Sequence, residues 1–112
     1  MIKSDDWGRD PHVQAMRRIF AGIEKAEAYF LKSAGVSSLD ERLRCWRQAT
    51  LTHFERIWRR AVRRGLRLTD NEVAALYVGC LARVIERAGV KNGASPFQED
   101  KKIQQLLESD AV

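Results

Sequence analysis

Apolar side chains recur along this chain with the period of a helix, and polar punctuation divides them into four blocks. In the first block Val13, Met16, Phe20, Ile23 and Phe30 carry the stripe, with Ile19 and Ala26 filling in. Asp10-Pro11 opens it as an N-cap followed by proline at the first helical position. Gly35 closes it, with Val36 as the apolar contact of a Schellman-type end. The second block opens on a capping box, Ser38-Leu39-Asp40-Glu41. It continues through Leu43, Trp46, Thr50, Phe54, Ile57 and Ala61, and stops at Gly65-Leu66. A second box, Thr69-Asp70-Asn71-Glu72, opens a third block that reaches Ala88 and stops at Gly89-Val90. The fourth opens at Ser95-Pro96-Phe97-Gln98 and carries Ile103, Leu106 and Leu107.

No useful stretch alternates with period two, so no strand is expected. The pattern predicts an all-α antiparallel bundle of three long helices plus a short C-terminal helix. It covers 1–112 as a single domain, with a polar lead-in over 1–9 and a frayed tail over 109–112. The glycine stops and short connections imply antiparallel neighbours. At 1.5 Å per residue, rods over 11–34 and 39–64 would be about 36 and 39 Å long. A compact globule of this size is only about 30 Å across. The rods must therefore bend, near Gly22 or Thr50-Leu51-Thr52, or the bundle must be elongated. An elongated arrangement leaves an apolar stripe for a second copy to cover, which predicts a homodimer.

Composition adds little until it is localised. Apolar residues are 45% and charged residues 31%, a globular balance. Nine arginines and no lysine fall between Arg42 and Arg67. Over 37–68 they stand against Asp40, Glu41 and Glu55, leaving +6 where the whole chain is +5. The basic character thus belongs to one helix and its turn. On a helical wheel Leu43, Trp46, Thr50, Phe54, Ile57 and Ala61 fall within about 80°, and Trp58, Leu51 and Val62 widen that apolar face. Arg42, Arg56, Arg59, Arg60 and Arg63 lie opposite, between about 200° and 300°. The spacing from Arg56 to Arg63 makes one continuous ridge, with Trp58 at its border. Planar guanidinium forks pair with carboxylate or phosphate in a bidentate way. The ridge is therefore the candidate surface for an acidic protein partner or for nucleic acid. A merely solvated face gives the same pattern, and basic residues near a helix C-terminus also suit its dipole.

The third block is apolar almost all round, as a central helix should be. Its remaining face, Ala75, Gly79 and Ala82, is a small-residue ridge and the candidate self-association seam. Thr69 to Gly89 loosely resembles a helix-turn-helix, but Cys80 to Ile85, where a recognition helix needs polar readers, is too apolar. His12, His53, Cys45 and Cys80 have no metal-ligand spacing. Asp5, Asp6 and Asp10 lack the rigid setting that acid–base chemistry needs. The expectation is no catalysis, no metal and no cofactor.

The two cysteines read as reduced, partly buried thiols of a cytoplasmic protein. Acids follow Met1 at once, unlike a signal peptide. The longest apolar run, Val73 to Leu81, is far below the roughly 20 residues of a membrane span. What emerges is a non-catalytic interaction module that assembles with itself or docks an acidic partner through the arginine face. Sequence-independent binding to phosphates is the alternative. Few Ser, Asn or Gln donors stand beside the ridge, which favours the protein partner.

Overall fold

The computed structural model describes residues 11–90 and 101–110, and is all-α. Four helices follow in order: α1 Pro11–Ser33, α2 Leu43–Arg63, α3 Asp70–Arg87 and α4 Lys101–Asp110. α4 reaches Asp110. The lead-in with Trp7, the Asp10 cap and the Ser95-Pro96 opening lie outside the described residues.

The three stops form as their sequences imply. Gly35, Gly65 and Gly89 have φ of 72°, 77° and 89°, which a Cβ would disfavour. The amide of the following residue then reaches back to close each helix: Val36 to Leu31 O, Leu66 to Ala61 O, and Val90 to Ile85 O. The Thr69 box is complete. Its hydroxyl accepts from the Glu72 amide at 3.2 Å, and Glu72 Oε1 accepts from the Thr69 amide at 3.0 Å.

The box expected at Ser38 does not form. A turn at Asp40 precedes the helix instead, its carboxylate accepting the Arg42 amide at 2.9 Å and its carbonyl the Leu43 amide at 3.1 Å, and Arg42 stands at the N-cap without a side-chain cap. The chain spends 38–42 in turns, α2 begins at Leu43, and Leu39 is left 88% exposed.

α3 is the hub. Every residue from Val73 to Ala82 is buried, and α1, α2 and α4 all pack on this helix. It is unbroken from Asp70 to Arg87, so no helix-turn-helix is present there. α1 and α2 share no Cα pair within 8 Å, although a single turn region joins them. Their connection is short, but each helix gains more by burying its stripe on apolar α3 than on the other. α2 buries Leu43, Trp46, Thr50, Phe54, Ile57 and Ala61, the predicted stripe without exception.

α1 departs from prediction. Ile23, Phe30 and Leu31 are core, whereas Phe20 is 51% exposed. The buried face of α1 is turned away from Phe20 toward Ile19, Ile23 and Ala26.

α4 runs in the same sense as α3. Lys102 pairs with Glu72 near the start of α3, while Leu107 meets Gly79 and its carbonyl accepts from Arg83. The molecule measures 49 × 36 × 20 Å with a radius of gyration of 15.3 Å, above the roughly 13 Å of a compact chain this long. It is elongated, and both long helices run unbroken through Gly22 and Thr50–Thr52. Thr50 is fully buried and donates to Trp46 O at 2.6 Å, which satisfies its hydroxyl.

Among the described residues no helix is long and apolar enough to cross a membrane. Cys80 is buried in α3 but Cys45 is exposed on α2, so the pairing of both thiols with the apolar pattern holds for one only.

Candidate functional site

Four guanidinium groups come together where the wheel places them. Arg56, Arg59, Arg60 and Arg63 line one shallow depression with Thr52 and Glu55. Arg59 pairs with Glu55 one turn earlier at 2.6 Å, with both side chains more than half exposed. An exposed pair of this kind contributes little and is exchangeable. Arg56 donates to His53 Nδ1 at 2.6 Å. Arginine cannot accept, so that nitrogen carries the lone pair. Arg63 forms no ion pair with an acid among the described residues. All four belong to the C-terminal half of α2, where helix carbonyls make the potential less welcoming to an anion than a helix N-terminus would.

Trp58 borders this ridge, half-buried. One side of its indole packs on Phe54, with centroids 5.3 Å apart and planes tilted by 47°. Phe54 in turn meets Tyr77 edge-on at 5.8 Å. The other side of Trp58 forms a second depression with Glu55, Arg59, Val62 and Arg63. Val62 is 60% exposed there. An indole and a valine thus sit among guanidinium groups on a surface anchored directly in the core.

Arg42 does not join them. It lies fourteen residues before Arg56, about 21 Å along the helix axis. Its guanidinium stacks over the buried Trp46 ring at 4.6 Å. It also holds Asp40 through two contacts, Nε to Oδ1 at 3.1 Å and Nη2 to Oδ2 at 2.9 Å. The Arg42 side chain, and then its amide, hold the Asp40 carboxyl below its ordinary range. Arg42 closes the start of α2 instead of extending the arginine ridge.

The candidate seam Ala75, Gly79 and Ala82 is also placed differently from expectation. All three are buried, and at Gly79 the neighbour is the chain's own α4. A Cβ at Gly79 would stand 2.7 Å from Leu107 Cδ1. The small ridge does admit a close helix, but that helix is intramolecular.

One cluster escaped the sequence reading. Glu27 on α1 is 8% exposed and accepts from three donor atoms on two other helices. Tyr77 Oη on α3 donates to Oε2 at 2.6 Å, while Arg47 on α2 reaches Oε1 through Nε at 2.9 Å and Nη2 at 2.7 Å. Burial, and then the neighbouring carboxylate, push the Tyr77 hydroxyl far above its ordinary range, so it stays a donor. The signal was present on the wheel: Glu27 lies one turn after Ile23 and one before Leu31, on the buried side of α1. A carboxylate there needs partners, and Arg47 and Tyr77 supply them.

Among the described residues no group of three or more His, Cys, Asp or Glu side chains is arranged to hold a metal ion. Comparison of the chain with protein-family models, curated proteins and solved structures finds no match.

Proposed function

We propose that this chain is a non-catalytic interaction module that docks an acidic protein surface through the C-terminal half of α2. The observation that carries this reading is the depression in which Trp58 and Val62 sit among Arg59 and Arg63. Tryptophan and arginine are the residues most enriched at interface hot spots. An apolar anchor ringed by guanidinium groups suits an amphipathic segment with carboxylates beside a leucine or phenylalanine. The Glu55–Arg59 pair would exchange its carboxylate for the partner's.

A second reading rests on the ridge alone. Arg56, Arg59, Arg60 and Arg63 cover about 10 Å of helix face, enough to meet successive phosphates of a nucleic acid. Binding of that kind would ignore sequence, with a log–log salt slope near −3.6 for about four phosphates. Changing Arg60 to glutamine would flatten it by about one unit, equally for all sequences.

One titration series separates the two. The full chain is mixed at low salt with a 20-base-pair duplex, with a single-stranded oligonucleotide, and with a Glu/Leu-rich helical peptide. The first reading expects the peptide to bind more tightly than either nucleic acid. Val62→Glu and Arg63→Glu should each weaken it by about tenfold or more. Tighter duplex binding with the steep slope replaces it by the second. Absence of binding to all three makes the ridge a solvated face and sinks both.

A further inference from the structure

The groove between α1 and α2 is a second surface, separate from the arginine ridge. It encloses about 800 Å³. It exists because both helices rest on α3 with no Cα pair within 8 Å of each other, and the Arg47–Glu27 ion pair bridges them within it. Tyr77, Ile23 and Phe54 line its floor, and Phe20 and Leu51 stand at its rims, 51% and 47% exposed. Beside it, Arg17, Phe20, Ala21, Glu24 and Ala28 follow one another at helical spacing along α1, and all are exposed.

This stripe has an internal symmetry. Arg17 and Glu24 lie equally far on either side of a point between Phe20 and Ala21. When two identical helices pack antiparallel about a twofold axis through that point, Arg17 of each faces Glu24 of the other, and both pairs form at once. Ala21 and Ala28 let the backbones come close, within the 8–10 Å usual for packed helices. The two Phe20 rings meet near the axis and cover the apolar rim at Leu51. A foreign helix of uniform charge would be repelled by Arg17 or by Glu24, whereas a copy of this chain matches both.

We propose that a second copy of this chain covers this face, with the two α1 helices antiparallel across a twofold axis between Phe20 and Ala21. This is a different surface from the buried small-residue ridge of α3.

The test is analytical ultracentrifugation of the full chain from micromolar to several hundred micromolar. Wild type should approach twice 12.8 kDa. Phe20→Glu should weaken association by about a hundredfold, because it places two carboxylates at the axis. Arg17→Glu, on the exposed face and so harmless to folding, should weaken it by about tenfold, and Arg17→Glu/Glu24→Arg should restore it. A double variant no tighter than Arg17→Glu overturns the antiparallel register. A dimer indifferent to Phe20→Glu overturns the surface, and a wild-type monomer at the highest concentration overturns the proposal altogether. The ridge change Arg63→Glu should leave the mass unchanged, so failure here and failure of the docking reading are told apart.

Discussion

The two halves of α2 carry the same residue type in two different employments. At its start Arg42, the residue before the first turn, lies over Trp46 and grips Asp40, while Arg47 in the first half reaches across to the buried Glu27. These arginines tie the helix to its own start and to α1. In the second half Arg56, Arg59, Arg60 and Arg63 share an open depression on the side away from the core. Arginine content therefore says where positive charge is, and the placement of acids decides whether it is spent inside the fold. Asp40 and Glu27 are buried or rigidly placed enough to commit their partners, whereas Glu55 is exposed and holds Arg59 only loosely.

The largest expected effect is on the core that both halves share. Trp46→Ala or Phe54→Ala should each cost about 3–5 kcal/mol in denaturant unfolding. A loss below about 1 kcal/mol would mean that the stripe of α2 is misplaced. Next comes the contrast itself. Glu27→Ala leaves the buried Tyr77 hydroxyl without its acceptor and should cost about 2–3 kcal/mol. Arg59→Ala or Arg63→Ala should stay within about 0.5 kcal/mol of wild type. Equal losses from the two sets would erase the distinction drawn between the halves.

A smaller effect is expected at the covered ridge. Gly79→Ala brings a methyl group 2.7 Å from Leu107 Cδ1, at the flexible end of a leucine. The leucine end can yield, and alanine gains about 1 kcal/mol over glycine inside a helix, so stability read from the unfolding midpoint should move by no more than about 1 kcal/mol. A loss above about 3 kcal/mol would mean that Leu107 cannot yield to the added methyl group.

The smallest effect is electrostatic. Glu72 titrates below its ordinary range, first because it accepts the Thr69 amide and then because Lys102 stands 2.9 Å away. A depressed carboxyl stabilises the fold above its unfolded value and loses that contribution as pH falls through its folded one. Stability should therefore decline below about pH 4.5, and Glu72→Gln should make the decline shallower in denaturation measured at pH 7 and pH 3.

Local signals were the legible ones. The α2 stripe, the Thr69 box and the three glycine stops each depend on residues within a turn or two of one another, and each is found as read. What was not legible depends on distant partners. The Ser38 box was expected to open the helix, but the Asp40 side chain turns back onto the Arg42 amide and α2 starts only at Leu43. Phe20 belongs to the same periodicity as Ile23, yet the roll of α1 on α3 leaves it outside. The ridge of Ala75, Gly79 and Ala82 correctly announces a close helix, but periodicity cannot say whether that helix is α4 or another molecule. The Glu27 cluster joins positions 20 and 50 residues apart. The ridge was legible as a place, and its partner was not, because charge names a sign and no molecule.

The two thiols turn the fold into its own clock. Cys45 is exposed on α2, and Cys80 is fully buried in the helix that every other helix packs against. A thiol reagent added to the native protein will consume Cys45 at the rate of an open side chain. Cys80 will react only at the rate at which the hub opens, in proportion to the population of opened molecules when reclosing is fast. The ratio of the two labelling rates in one sample is a direct reading of the opening free energy of α3. It needs no engineered probe and no denaturant, and it can be followed while a ligand or a second copy is added.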